Sequence, residues 1–299
     1  MTDSYRAASP TTRRVPATGL SLAVREHTPW SEGAQSVVLV HGYPDQQDVW
    51  DPVVAALETA GLHLVTYDVR GAGGSDVPQR TEDYRTELLV QDLTAVVEAT
   101  VPECAPVHLV GHDWGSVQLW DAVADGRRDP RLAGRIASFT SISGPSLDQA
   151  ARLARRPSLR GLRQAAHSWY VYAFQVPLLP DLVWRHGHRA MRRLLALTQG
   201  AEVAHWGDEL AGNGVHGLGL YRANIGSGGR RPGRLHTDVP VLVVQPRRDS
   251  FVTDALLDGL DEACEELDVR HVDAGHWLLQ SHPGVVAELV AEHVRAHAG

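Results

Sequence analysis

The sequence predicts an α/β protein: a mostly parallel sheet flanked by helices and interrupted by one helical insert. Three observations carry that reading. Short apolar runs alternate with helix-periodic segments through residues 20–142, the pattern of a parallel sheet covered on both faces. From about residue 145 to 235 strand-like runs stop, and a buried type of strand returns at 238–245. Charge changes at the same borders: residues 146–235 hold 13 arginines against five acids, +8, while the rest of the 299-residue chain carries −16. A core domain over 1–145 and 236–299 with a helical cap over 146–235 is therefore expected.

The elements follow in order. Residues 20–25 form an early strand, and 36–40 a short buried one that ends in His41-Gly42-Tyr43-Pro44. A helix over 53–59 leads to a strand at 62–68 and the glycine turn Gly71-Ala72-Gly73-Gly74. Leu88, Leu89, Leu93, Val96 and Val97 fall at helical spacing within 84–98. Residues 107–110 are the next strand, 116–124 the helix after it, and 136–142 a further strand. In the insert, 159–174 and 182–197 read as helices; Val183, Leu194, Leu195 and Leu197 give the second an apolar face suited to a hydrophobic pocket. A helix at 254–266, a strand at 268–272 and a helix at 285–297 close the chain, and glycine-rich 226–233 reads as a return linker.

Composition narrows the class. With 43% hydrophobic and 21% charged residues the chain has the make-up of a soluble globular enzyme. A net charge of −8 argues against a nucleic-acid partner. Cys104 and Cys264 stand in no metal or redox spacing and read as free thiols of a reducing compartment. The first 15 residues contain no apolar signal-peptide core, and no run of about 18 apolar residues offers a membrane span. The expectation is a cytoplasmic enzyme. No HExxH or Cys/His cluster is present, so neither a metal nor another cofactor is expected.

The chemistry sits in Gly111-His112-Asp113-Trp114-Gly115-Ser116, directly after the strand at 107–110. This is the spacing of a strand-to-helix nucleophile elbow, with Asp113 where serine is usual. A serine attacking a saturated carbon would leave an ether that activated water does not cleave. A carboxylate leaves an ester, which water hydrolyses. Asp113 therefore suits epoxides or alkyl halides. The helix N-terminus favours its ionised form. In this architecture the oxyanion hole takes the N–H of the next residue, Trp114, and one from the loop after the early strand, here Tyr43. His276, in Asp273-Ala274-Gly275-His276-Trp277 after the last strand, is the base for water. Asp249, after the strand at 238–245, is the acid that orients it, with Asp148 as the alternative. His41 and His112 brace the loops, and His186 and His188 lie on the surface. The glycine turn at 71–74 is not a phosphate loop, because Asp76 stands where the pattern needs glycine.

Taken together, these residues resemble the α/β-hydrolase fold and, within it, the epoxide hydrolase and haloalkane dehalogenase group, over roughly residues 18–297. The resemblance rests on His41-Gly42-Tyr43-Pro44, Asp68-x-Arg70-Gly71-x-Gly73-x-Ser75, the elbow, Asp249 and Gly275-His276-Trp277. It is closest in look to actinobacterial epoxide-hydrolase-like proteins, some fused to a short-chain dehydrogenase; with the chain ending at Gly299, no such second domain is expected. Epoxide hydrolases of this group supply two cap tyrosines that hydrogen-bond the leaving oxygen. The resemblance implies Tyr170, in Tyr170-Val171-Tyr172-Ala173-Phe174-Gln175-Val176-Pro177, and Tyr221, in Tyr221-Arg222, with Tyr172 as a substitute for Tyr170. Dehalogenases instead need a second N–H donor for halide; Tyr43 does not match their asparagine, while Trp169 or Trp184 fits their cap tryptophan. The expected function is epoxide opening to a vicinal diol, with a dehalogenase as alternative and a silent ligand receptor as a third class. Trp169, Tyr172 and Trp184 are the expected substrate-binding aromatics, the substrate a largely hydrophobic small molecule, and a homodimer is left open.

Overall fold

A computed structural model describes residues 10–103, 105–156, 158–199, 205–225 and 235–298. The glycine-rich stretch at 226–233 and Cys104 lie outside them. Eight strands form one sheet: β1 (Thr11–Ala17), β2 (Leu20–Glu26), β3 (Ser36–Val40), β4 (His63–Tyr67), β5 (Val107–His112), β6 (Ile136–Ile142), β7 (Val241–Pro246) and β8 (Leu267–Val272). Their spatial order is β1-β2-β4-β3-β5-β6-β7-β8. The pairs from β4 through to β8 are parallel, and β1 and β2 join antiparallel at one edge. Every residue of β3, β4, β5 and β7 is buried, as expected of strands covered on both faces. At the far edge β8 alternates exposed and half-buried residues and carries Asp268 and Arg270, which discourages further strand pairing.

Helices α1 (Asp51–Leu57), α2 (Thr86–Thr100) and α3 (Trp114–Val123) cover the first half of the sheet. The cap follows β6: α4 (Leu147–Arg155), α5 (Leu159–His167), α6 (Trp169–Ala173), α7 (Leu179–Gln199) and α8 (Leu210–Asn224). After β8 come α9 (Leu278–Ser281) and α10 (Pro283–Ala296). Among the described residues no helix is long and apolar enough to cross a membrane.

Several expectations are corrected. The helix expected over 159–174 breaks at Ser168 (φ −91°, ψ 12°), which separates α5 from α6. The buried Gln164 side chain explains the break: it donates to Ser168 Oγ and Phe251 O and accepts from the Thr253 N–H, fastening the bend to the core. The helix expected over 254–266 is only a short 3₁₀ turn, Asp254–Leu257. Gly259 then turns into the left-handed region at φ +79°, and Ala263 and Glu265 bond the backbone of Thr237 instead of a helix. β1 and α8 were not anticipated as elements. β1 is mostly exposed and arginine-bearing, and α8 contains Gly212, Gly214, Gly217 and Gly219, which suppress the helix signal.

Candidate active site

Asp113 stands between β5 and α3, as the helix N-cap, with φ 51° and ψ −122°, a conformation that costs energy for any residue with a side chain. Its neighbours allow the bend. A Cβ on Gly115 would lie 2.0 Å from Val40 O, and one on Gly42 would lie 2.4 Å from Asp113 Cβ. Only glycine permits such approach. The bend carries the Asp113 carboxylate to two partners. The Tyr43 N–H donates to its Oδ1 at 2.7 Å. His276 Nε2 lies 3.6 Å from its Oδ2. Trp114 follows as the first residue of α3, where N–H groups have no partner within the helix.

His276 is buried. Its Nδ1 lies 2.9 Å from Asp249 Oδ2, and Asp249 Oδ1 accepts the N–H groups of Phe251 (2.7 Å) and Val252 (3.1 Å). Burial opposes a charge on the imidazole. The carboxylates of Asp249 and Asp113 outweigh it, and the His276 pKa is raised to about 10. Asp249 is likewise held below the ordinary range: burial pushes its pKa up, while His276 and the two N–H groups pull it down further. His112 braces this loop by donating from Nε2 to His276 O at 2.9 Å. Burial and the neighbouring His276 lower its pKa to about 4, so it stays neutral. Asp249, not Asp148, stands at His276 Nδ1; Asp148 lies in the first turn of α4, its N–H donating to the Ser146 Oγ that caps the helix and its carboxylate pairing with Arg127.

Opposite Asp113 stand Tyr170 from α6 and Tyr221 from α8, ring centroids 6.0 Å apart. Burial, then the Asp113 carboxylate, raises the pKa of Tyr170; burial, Tyr170 and Asp113 raise that of Tyr221. Both phenols therefore remain protonated donors. Tyr221 is wedged edge-on among Tyr43, Trp114 and Phe174, with centroids 5.3, 5.0 and 5.0 Å away. The Tyr43 phenol is spent on the cap, donating to Gly214 O at 2.9 Å, while its backbone N–H faces Asp113.

Two cavities meet here, of about 470 and 540 Å³, and both are lined by Asp113, Tyr170 and Tyr221. Trp184 is buried in the wall of the second. Trp169 and Tyr172, 68% and 67% exposed, touch the second and first cavity respectively. Tyr172 is thus no substitute for Tyr170. Of the expected apolar face of α7, Leu194 and Leu195 line the second cavity, whereas Val183 and Leu197 are exposed and line neither. Sequence reasoning missed Phe251, which lines both cavities and packs 4.9 Å from His276. It also missed Asp45. That buried carboxylate accepts from His205 (3.1 Å) and Trp206 (2.6 Å) of the cap and from Trp277 (2.9 Å) beside His276. Asp45 follows the His41–Pro44 motif, but its partners lie 160 to 232 residues away.

Comparison with known proteins agrees with this architecture. Over 270 residues the chain is 34% identical to the probable oxidoreductase EphD of Mycobacterium tuberculosis, covering 85% of this chain and 45% of that protein. The chain thus spans about half the length of that relative. It is 34% identical over 191 residues to epoxide hydrolase A of the same organism, covering 62% of this chain and 55% of the relative. The crystal structure of an epoxide hydrolase from Bacillus megaterium with an inhibitor superposes with a TM-score of 0.77 at 20% identity, covering 95% of this chain and all of the other. Residues 35–283 match the family described as alpha/beta hydrolase fold, and the chain belongs to that family.

Proposed function

We propose that the protein is an epoxide hydrolase working through a covalent ester on Asp113. The observation that carries this is the facing of a carboxylate, held by the Tyr43 N–H and next to His276, by two neutral phenols across the same cavities. The relatives called epoxide hydrolases support it. Asp113 attacks one oxirane carbon, the C–O bond to the ring oxygen breaks, and that oxygen takes a proton from Tyr170 or Tyr221. Alkylation neutralises Asp113 and removes one of the two carboxylates that hold the His276 proton. The proton then leaves Nε2 and restores the phenol through solvent. Neutral His276 takes a proton from water as it attacks the ester. The Tyr43 and Trp114 N–H groups receive the oxyanion. The diol departs with imidazolium and carboxylate regenerated, one water having been added.

A dehalogenase needs a second N–H donor for halide beside Trp114. Trp169 is exposed at a cavity mouth, and the ring of Trp184 packs edge-on against Tyr43 at 5.7 Å, so neither cap tryptophan serves as readily as the phenols serve an epoxide. A single turnover in ¹⁸O-water tests the covalent route. The first diol is expected unlabelled and the Asp113 peptide labelled; label in the first diol would exclude the ester.

A further inference from the structure

We propose that the outer face of the cap seats on a membrane surface rich in anionic phospholipid. The proposal is independent of the reaction at Asp113. Among the described residues, eleven of the fourteen large apolar side chains that stand exposed fall between residues 159 and 197. The cap's positive charge is concentrated in the same stretch: residues 149–199 hold nine arginines and a single acid, Asp181, which pairs with Arg222. Exposed apolar residues scattered singly need no explanation, but their concentration on a basic face marks a contact. On α7, Leu182, Arg189, Arg193 and Leu197 recur at helical spacing on the side opposite the buried Trp184, and all four are exposed. α5 repeats the mixture in Leu159, Arg160, Leu162 and Arg163. The turn between α6 and α7 holds Leu178 at φ 66°, a left-handed backbone that leucine rarely adopts, with its side chain 74% exposed. Glycine or asparagine would make that turn at less cost, so folding alone does not account for a leucine there.

This mixture fits the interfacial zone of a bilayer. Leucine side chains enter the acyl boundary, while arginine lays its methylenes along them and brings its guanidinium to the lipid phosphates. Charge selects this occupant over a second copy of the chain. Cap against cap would set nine arginines against nine, whereas an anionic surface attracts the cap and repels the rest of the chain, whose net charge is −16. Trp169 and Leu194 are exposed and also line the second cavity, so the seated cap opens that cavity toward the lipid.

Sedimentation of the full chain with vesicles is the test. Binding to phosphatidylcholine vesicles containing about one third phosphatidylglycerol is expected to exceed binding to pure phosphatidylcholine by at least about tenfold, and to fall toward the neutral level as salt is raised to about 0.5 M. That comparison needs no variant, so it decides even where a variant fails to fold. The triple variant Leu159→Ser, Leu178→Ser, Leu197→Ser and, separately, the pair Arg163→Glu, Arg189→Glu are each expected to weaken anionic-vesicle binding by at least about tenfold. All five side chains are exposed, and circular dichroism verifies that each variant folds. No binding to anionic vesicles, equal binding to neutral ones, or undiminished binding by either folded variant overturns the proposal. Analytical ultracentrifugation covers the other occupant: a parent dimer that the triple substitution dissociates assigns the face to a second copy and overturns the proposal as well.

Discussion

At the scale of single residues the site is governed by charge. His276 lies between two carboxylates, which outweigh burial, raise its pKa to about 10 and favour the imidazolium. In the proposed mechanism the ester on Asp113 removes one negative charge, so His276 becomes a base only once there is an ester to hydrolyse. Asp113→Asn imitates that neutral state. In this variant an NMR titration of His276 is expected to give a pKa below that of the parent; an unchanged value would refute the coupling. The phenols are tested by Tyr170→Phe with Tyr221→Phe, which keeps the rings and removes the donors. Epoxide kcat/KM is expected to fall by about 10²–10⁴, the usual worth of a positioned acid. Steady-state assay on an epoxide checks this, and retention of activity would point to another proton source. Asp113, His276 and Asp249 were legible from the sequence because a strand-to-helix turn and two post-strand loops mark their places. Phe251 and Asp45 were not, since their roles arise from contacts with cap residues far away in the chain.

Among the elements, α8 departs furthest from sequence expectation. Its glycines are poor helix formers, yet three of the four occupy places where a ring presses on the backbone. A Cβ on Gly214 would meet Trp184 at 2.3 Å, on Gly217 Tyr43 at 2.5 Å, and on Gly219 Tyr84 at 2.4 Å. The helix is seated by these rings, and through it Tyr221 is held against Asp113. Helix propensity alone predicts that Gly217→Ala stabilises by about 1 kcal/mol. Packing predicts the reverse, a loss of about 1–3 kcal/mol from overpacking against Tyr43. Urea unfolding decides the sign, and stabilisation would show that the ring yields. The break between α5 and α6 has a similar cause. Local sequence favours one continuous helix, and the buried Gln164 side chain instead fastens the bend to Phe251 and Thr253 of the core.

At the level of the whole molecule, cap and core are tied through buried polar groups. Asp45 joins both to the histidine loop, and although burial alone would raise its pKa, His205 and Trp206 bring it down to about 2. The buried histidines give stability a pH dependence of known sign. His108 and His112, chiefly through burial, have pKa values lowered to about 4. The unfolded chain therefore binds more protons below 6.5, and stability falls as pH drops from 6.5 toward 4. His276 acts oppositely: its raised pKa contributes stability in full below 6.5, lost as pH climbs through about 10. Urea midpoints are expected to peak near pH 6.5 and decline on both sides, with Asp249→Asn flattening the alkaline arm alone. A midpoint independent of pH on the alkaline side in the parent would contradict the charged His276.

The fold class was legible in the sequence, and so were the chain positions of Asp113, Asp249 and His276, which the fold brings together. Each of these is written in local signals: apolar runs, the loss and return of strand patterning, and glycines at the spacing of an elbow. The meeting of Tyr170, Tyr221 and Asp113 at the cavities, the helix α8, the exposure of Val183 and Leu197 and the joining of cap to core by Asp45 emerge only in the folded molecule. These depend on side chains brought together from distant positions, where close packing and the satisfaction of buried polar groups override local propensity.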